Sequence, residues 1–225
     1  MGNPKNPERL SCADCHQLNC YRRDKQFPSF CLSITSRGDT DINTEIAKAK
    51  ASYTEEGPDR RMALAAAEIE GIYYGKLTRA EEIIAFAKRI GARKIGIATC
   101  IGLMEETRIF TQILKTKGLE SYSVICKVGS LDKTEIGVLP EHKVQQGCHE
   151  ALCNPILQAR LLNQAGTDLN VIVGLCVGHD SLFIKYSDAP VTTLITKDRV
   201  LGHNPAAALY TSGFYYKRLL LEDKE

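Results

Sequence analysis

The sequence predicts an α/β fold: a Rossmann-like, mostly parallel sheet flanked by helices, with an N-terminal cysteine-rich metal module. Three observations predict it. Short apolar runs rich in Ile and Val alternate with helical stretches across residues 93–225, the rhythm of βαβ units. Capped helical patterns with no intervening strand fill residues 39–92. Four cysteines, Cys12, Cys15, Cys20 and Cys31, lie in the polar, irregular residues 1–38, where Phe27 and Phe30 are the few large apolar groups. A segment of that kind folds around a metal or not at all. The expected organisation is therefore a metal module over 1–38, a helical segment packed on the sheet over 39–92, and the α/β domain over 93–225.

Each element has a local reason. Ile42, Ile46, Ala49 and Tyr53 share one helical face. Pro58 stands where a helix starts, and Met62, Ala65, Ala66, Ile69, Ile72 and Tyr73 form the next apolar stripe, which Gly75 ends. Thr78-Arg79-Ala80-Glu81 is a capping box ahead of Ile83, Ile84, Ala87 and Ile90, and Gly91 closes that helix. A first buried strand is predicted over 94–99, a helix over 103–117, and a second strand over 123–128 with Cys126 inside it as a core residue. After a looser stretch come a helix over 155–164, a strand over 169–175 apolar on both faces, a strand over 191–196 and a closing helix over 205–221.

The chain has 225 residues, enough for one α/β domain with a small appendage or for two small domains, so disulfides are not needed to rescue a core. Its 29 Lys and Arg nearly balance 27 Asp and Glu, which gives no electrostatic footprint for nucleic acid or an anionic membrane. Met1-Gly2-Asn3-Pro4-Lys5-Asn6 lacks the apolar core of a secretory signal, and Asn6 stands where a myristoylation motif needs Ser or Thr. No apolar run approaches a membrane span. A cytoplasmic setting is expected. Nine cysteines in a reducing compartment then point to metal or catalysis rather than to disulfides.

The first cluster has the spacing C-x2-C-x4-C-x10-C. Cys12-Ala13-Asp14-Cys15-His16 is formally a haem-attachment pattern, but that reading leaves Cys20 and Cys31 unused. Four thiolates satisfy tetrahedral zinc completely, and they equally suit an iron–sulfur cluster, whose spacing is looser than paired zinc knuckles. The alternative is four unrelated reduced thiols.

A second set lies deeper. Cys100 ends the first predicted strand and Cys176 follows the third, in Gly174-Leu175-Cys176-Val177-Gly178-His179-Asp180. Ligands of open α/β sheets bind beyond the carboxyl ends of the strands, so these two thiols are expected to meet in one crevice. Cys153 precedes Asn154-Pro155, a helix start whose dipole favours a thiolate. With Cys148 as fourth ligand, Cys100, Cys153 and Cys176 make a candidate second centre. Buried cysteine as a small hydrophobe is the plainer reading of any one of them. Cys176, His179 and Cys153 are also candidates for thiolate catalysis. Lys197 and His203 are candidates for contacting a cofactor or small ligand. Asp180 would cap the following helix, and Asn154 and Asn204 the helices opened by Pro155 and Pro205. No G-x-G-x-x-G, Walker, nucleophile-elbow or H-E-x-x-H pattern is present.

These segments resemble a family of uncharacterised, cysteine-rich prokaryotic proteins described as metal-binding. The likeness runs through Cys12-x2-Cys15-x4-Cys20, Ile95-Gly96-Ile97-Ala98-x-Cys100, Cys153-Asn154-Pro155 and the Leu175-Cys176-Val177-Gly178-His179-Asp180 segment. It continues in Ala189-Pro190-Val191-Thr192 and Lys197-Asp198-Arg199-x3-His203-Asn204-Pro205. The resemblance implies metal binding in a bacterial or archaeal, often anaerobic, setting and brings no reaction. Cys153-Asn154-Pro155 followed by Cys176 is also similar to the cluster-binding Rossmann-like domains of carbon monoxide dehydrogenase and hybrid-cluster proteins. That likeness implies an iron–sulfur cluster, with zinc as the alternative. The reading is an iron–sulfur redox or cluster-dependent protein with a small-molecule ligand or an electron-transfer partner; the alternatives are a zinc-binding protein with a structural N-terminal site and a small-molecule or partner-binding crevice, and a thiol-dependent hydrolase or transferase.

Overall fold

The computed structural model describes residues 10–36 and 38–222. The N-terminal residues read above for targeting signals lie outside the described residues. The chain divides into two compact units, Met1–Leu64 and Ala65–Glu225.

In the first unit, α1 (Asn19–Arg22) is a single turn between two left-handed residues, Leu18 at φ 47° and Arg23 at φ 57°. α2 (Ile42–Thr54) begins where Asp41 caps it, accepting from the backbone N–H groups of Asn43 and Thr44. The division between the units falls inside α3 (Pro58–Tyr73).

In the second unit, α4 (Arg79–Ile90) starts at the predicted capping box: Glu81 accepts from the Thr78 backbone N–H at 2.8 Å. Gly91, at φ 80°, ends it. Then follow β1 (Lys94–Thr99), α5 (Met104–Thr116), β2 (Glu120–Ile125), α6 (Pro155–Gln164), β3 (Leu169–Val173), α7 (His179–Tyr186), β4 (Val191–Ile195) and α8 (Ala206–Tyr210). All neighbouring strand pairs are parallel, in the order β2-β1-β3-β4. β3 is buried along its whole length and β1 over all but its first residue, as parallel strands covered on both faces must be. Ile95, Ile97, Val171 and Val173 are fully buried there, with Leu103, Leu114, Leu162 and Phe183 from the surrounding segments packed into the same core. Burying an aliphatic side chain of this size contributes about 1.5–3 kcal/mol.

The chain leaves β1 to build β2 on one side, then returns to build β3 on the other. The topological switch point, where doubly wound sheets bind ligands, therefore lies between β1 and β3.

Three elements differ from expectation. β2 lies earlier than predicted and stops at Ile125, which puts Cys126 just beyond the strand instead of inside it. The expected closing helix is a short α8 and a separate 3-10 turn, Lys217–Leu220, because Thr211, Ser212 and Gly213 are poor helix formers. The connection 126–154 is tied down rather than loose. Asp132 accepts from the Lys143 ammonium and from the backbone N–H groups of Thr134 and Glu150, and these bonds, Lys143 foremost, hold its carboxyl well below the usual carboxylate range. Among the described residues no helix is long and apolar enough to cross a membrane.

Candidate functional site

Every strand of the sheet is followed, within three residues, by a side chain able to do chemistry. Cys100 follows β1, Cys126 follows β2, Cys176 lies three residues past β3 and Lys197 two past β4. Register makes the first two neighbours: Thr99 pairs with Ile125, so Cys100 and Cys126 leave adjacent strands at the same level.

The backbone fixes these positions. The Cys126 N–H continues the ladder to Thr99 O at 2.8 Å, and the Cys126 carbonyl accepts from the Asn154 N–H at 2.7 Å. The end of β1, the end of β2 and the start of α6 are thereby joined, which carries Cys153 to the same place. Beneath them Gln158, fully buried on α6, donates through Nε2 to Val124 O at 2.7 Å and Thr99 O at 3.2 Å. The Cys100 N–H crosses to Val173 O at the end of β3, 3.1 Å away.

Cys100, Cys126 and Cys153 form one hydrogen-bonded set of thiols with Cys126 at its centre. Cys126 is only 1% exposed, and its sulfur also accepts from the Ile101 N–H at 3.3 Å. The Cys126 S–H, with help from the Gly102 N–H and the nearby Lys197 ammonium, brings the Cys100 thiol down to about 5. Cys126, then Lys127 and His179, bring Cys153 down to about 5 as well. Cys126 itself is pushed up, because it lies between two sulfurs and is buried. A single S–H on Cys126 can serve only one flanking sulfur at a time, so the set favours ionising a flanking thiol while the proton stays on the centre.

The cations are placed by small residues. A Cβ on Gly102 would stand 3.3 Å from Lys197 Nζ and 4.0 Å from Cys100 Sγ, so the glycine lets both groups lie close to the backbone there. Gly174, at φ 75°, turns the chain out of β3. A Cβ there would lie 2.0 Å from Leu103 Cδ1, so this turn admits glycine alone. Beyond it Cys176 is half-buried, and the Arg199 guanidinium donates to its sulfur at 3.0 Å. Gly178 takes the cap position of α7, which places Asp180 within the first turn rather than at the cap expected of it. His179 Nδ1 is buried and, among the described residues, has no hydrogen-bond partner.

Two predicted participants are used otherwise. Cys148 is exposed and hydrogen-bonds through its thiol to Gln145, 3.6 Å from its carbonyl; it is not one of the hydrogen-bonded thiols, and Cys126 stands there instead. His203, at φ 68°, accepts through Nδ1 from the Asp198 N–H at 3.2 Å and closes the turn after β4.

In the first unit, Cys12, Cys15, Cys20 and Cys31 all line one hollow, walled by Leu18, Phe27 and Phe30. The Ser33 N–H donates to Cys31 Sγ at 3.5 Å, the kind of contact that stabilises a thiolate. Asn19 lines the same hollow and is 2% exposed, yet its Nδ2 is buried without a hydrogen-bond partner among the described residues. Leaving such a donor unpaired costs about 1–3 kcal/mol. All nine thiols are free, and among the described residues no three His, Cys, Asp or Glu side chains stand in metal-holding geometry. What the sites present is sulfur donors grouped by fold, with cations beside the strand-end set. That donor chemistry fits zinc and iron–sulfur centres, which take soft thiolate ligands.

Comparison with known proteins gives three findings. A family model described as a protein of unknown function, DUF1847, matches residues 38–194. An uncharacterised protein of Methanocaldococcus jannaschii, MJ0455, is 46% identical over 215 residues, covering 96% of this chain and all of the relative. The crystal structure of an N-acetyl-L-ornithine transcarbamylase variant aligns with 65% of this chain and 41% of its own, at 15% identity and a TM-score of 0.31. That last likeness is too slight to carry an argument.

Proposed function

We infer that this chain, which belongs to the DUF1847 family, is a metal-binding protein whose cysteines hold two thiolate centres. Cys12, Cys15, Cys20 and Cys31 hold the first. Cys100, Cys126 and Cys153 hold the second, with Cys176 as its fourth sulfur. An iron–sulfur cluster is the preferred occupant, and when bound it supplies one-electron storage. The observation that carries the reading is the convergence of Cys100, Cys126 and Cys153 at the carboxyl end of the sheet, beside the switch point. The chain's own part is to hold those sulfurs together before any metal arrives, to favour their deprotonation, and to offset their charge with Lys197 and Lys127.

The test is the full chain prepared without oxygen, assayed for iron, acid-labile sulfide, zinc and visible charge-transfer absorption. Iron and sulfide with colour support the cluster reading. Colourless protein with bound zinc replaces it by a zinc protein with a structural N-terminal site. Neither metal at either site overturns both.

One further observation favours a second class of activity. Cys153 is half-buried, acidic, one residue ahead of the N-cap of α6 and within electrostatic reach of His179, the setting of a thiolate nucleophile. In metal-free protein that reading expects a single fast iodoacetamide adduct at Cys153. Equal labelling of every cysteine eliminates it.

A further inference from the structure

Asn19 is the one fully buried polar side chain on the wall of the N-terminal hollow. Its amide orientation is settled by chemistry: Oδ1 accepts from the Lys25 N–H at 2.8 Å, and only the oxygen can do so. Nδ2 is therefore the free end. It is shut from solvent and has no acceptor among the described residues. The side chains of Leu18, Phe27 and Phe30 provide none. The other polar groups of the lining are the Ser11 hydroxyl, already engaged with Asp14 and Ala13, the Ser33 hydroxyl, and the four thiols, and a thiol becomes a good acceptor when a metal removes its proton.

We propose that Asn19 Nδ2 donates a hydrogen bond to a sulfur of the centre held by Cys12, Cys15, Cys20 and Cys31, and so sets that centre's electron affinity. The proposal rests on the reading of this quartet as a metal centre. Asn19 is a positioning residue, acting through a ligand sulfur and touching no metal. It works alongside the Ser33 N–H, which already donates to Cys31. Such donors draw charge from the sulfur, which favours the reduced state of an iron centre and shifts its thiolate-to-metal absorption.

The test compares anaerobically prepared full-length wild type with Asn19→Asp and Asn19→Leu. Asn19→Asp keeps the acceptor for the Lys25 N–H, removes the amide donor and adds a carboxylate. Asn19→Leu removes both polar ends without adding charge. Cys12→Ser identifies which reduction wave and absorption band belong to the N-terminal centre. Zinc, where it is the metal found, is exchanged for cobalt(II) so that a charge-transfer band can be read. Both Asn19 variants are expected to retain metal, move that band, and lower that wave where the metal is iron, Asn19→Asp more than Asn19→Leu. A variant that keeps wild-type metal content with band and wave unmoved overturns the donor role. Wild-type protein with no metal on the quartet strikes the parent reading instead, which separates the two failures.

Discussion

The two cysteine regions of this chain use the same residue for opposite structural bargains. At the strand ends the sheet does the positioning. Cys100 and Cys126 are carried there by parallel register, Cys153 by the bond from Asn154 to Cys126, and a large apolar core lies beneath them. In the N-terminal region nothing comparable exists. Cys12 and Cys20 are exposed, Cys15 and Cys31 half-buried, and the backbone between them is short turns with two left-handed residues. On the proposed reading, thiols supported by a core are arranged before they bind anything, whereas thiols in a polar loop would depend on their ligand for their own fold.

The largest expected effect separates the regions directly. A chelator that strips metal from the loaded protein removes the main stabilising contribution to the N-terminal segment, about 10–16 kcal/mol for structural zinc in comparable small modules. Limited proteolysis should then cut within residues 10–36, while the unfolding transition of the sheet unit persists. Loss of both together would break the comparison.

A smaller effect probes the strand ends alone. Gly174→Ala places a methyl 2.0 Å from Leu103 Cδ1 on a residue at φ 75°, so both overpacking and backbone strain apply. The expected loss is about 2–4 kcal/mol in denaturant unfolding. Cys31→Ser in metal-free protein should lose little, because that thiol sits in no core. Similar losses in both variants would mean that the N-terminal hollow is as preorganised as the sheet edge.

Acidity gives a third test. Cys153 is held at about 5 by Cys126, Lys127 and His179, so in metal-free protein its alkylation should be half-maximal near that pH. Lys127→Met should move the midpoint upwards. The same shift has a sign for stability. The thiolates of Cys100 and Cys153 are favoured in the folded state, so their contribution is complete above the ordinary thiol value of 9. It shrinks as pH falls below that value and is gone below about 5. Reduced, metal-free protein should therefore be more stable to denaturant at pH 8 than at pH 5. A flat profile would show that the sulfurs are not ionised where they lie.

Much of this was legible before any coordinates. Alternating apolar runs give the parallel sheet and Thr78 to Glu81 gives α4, while the crevice expected of the cysteines after Thr99 and Leu175 stays a proposal. Cys126 is core, as its sequence suggests, but the apolar run Val124-Ile125-Cys126 reads as strand interior, and only pairing register shows that β2 stops at Ile125. Cys148 lies near Cys153 in sequence, but its thiol bonds to Gln145 and its carbonyl to Lys143, contacts local to the connection that sequence does not show. His203 offered an imidazole, but nothing in the sequence showed that its Nδ1 is taken by the turn it closes.

The smallest expected effect comes from two Asn-Pro pairs that look alike in sequence. Asn154 accepts through its side chain from the Leu157 N–H at 3.0 Å and caps the ten-residue α6. Asn204 meets the five-residue α8 only through its backbone carbonyl, 3.1 Å from the Ala207 N–H. Asn154→Ala should thus cost about 1 kcal/mol and Asn204→Ala no more than a few tenths. The first change also loosens the helix start that holds Cys153 beside Cys126, so the alkylation midpoint of Cys153 should rise with it. The N-terminal cysteines, which share no helix with Asn154, should label as before. Movement of Cys153 without movement of Cys12 or Cys31 is what a sheet-borne site predicts at this scale, and equal movement of all three would dissolve the distinction.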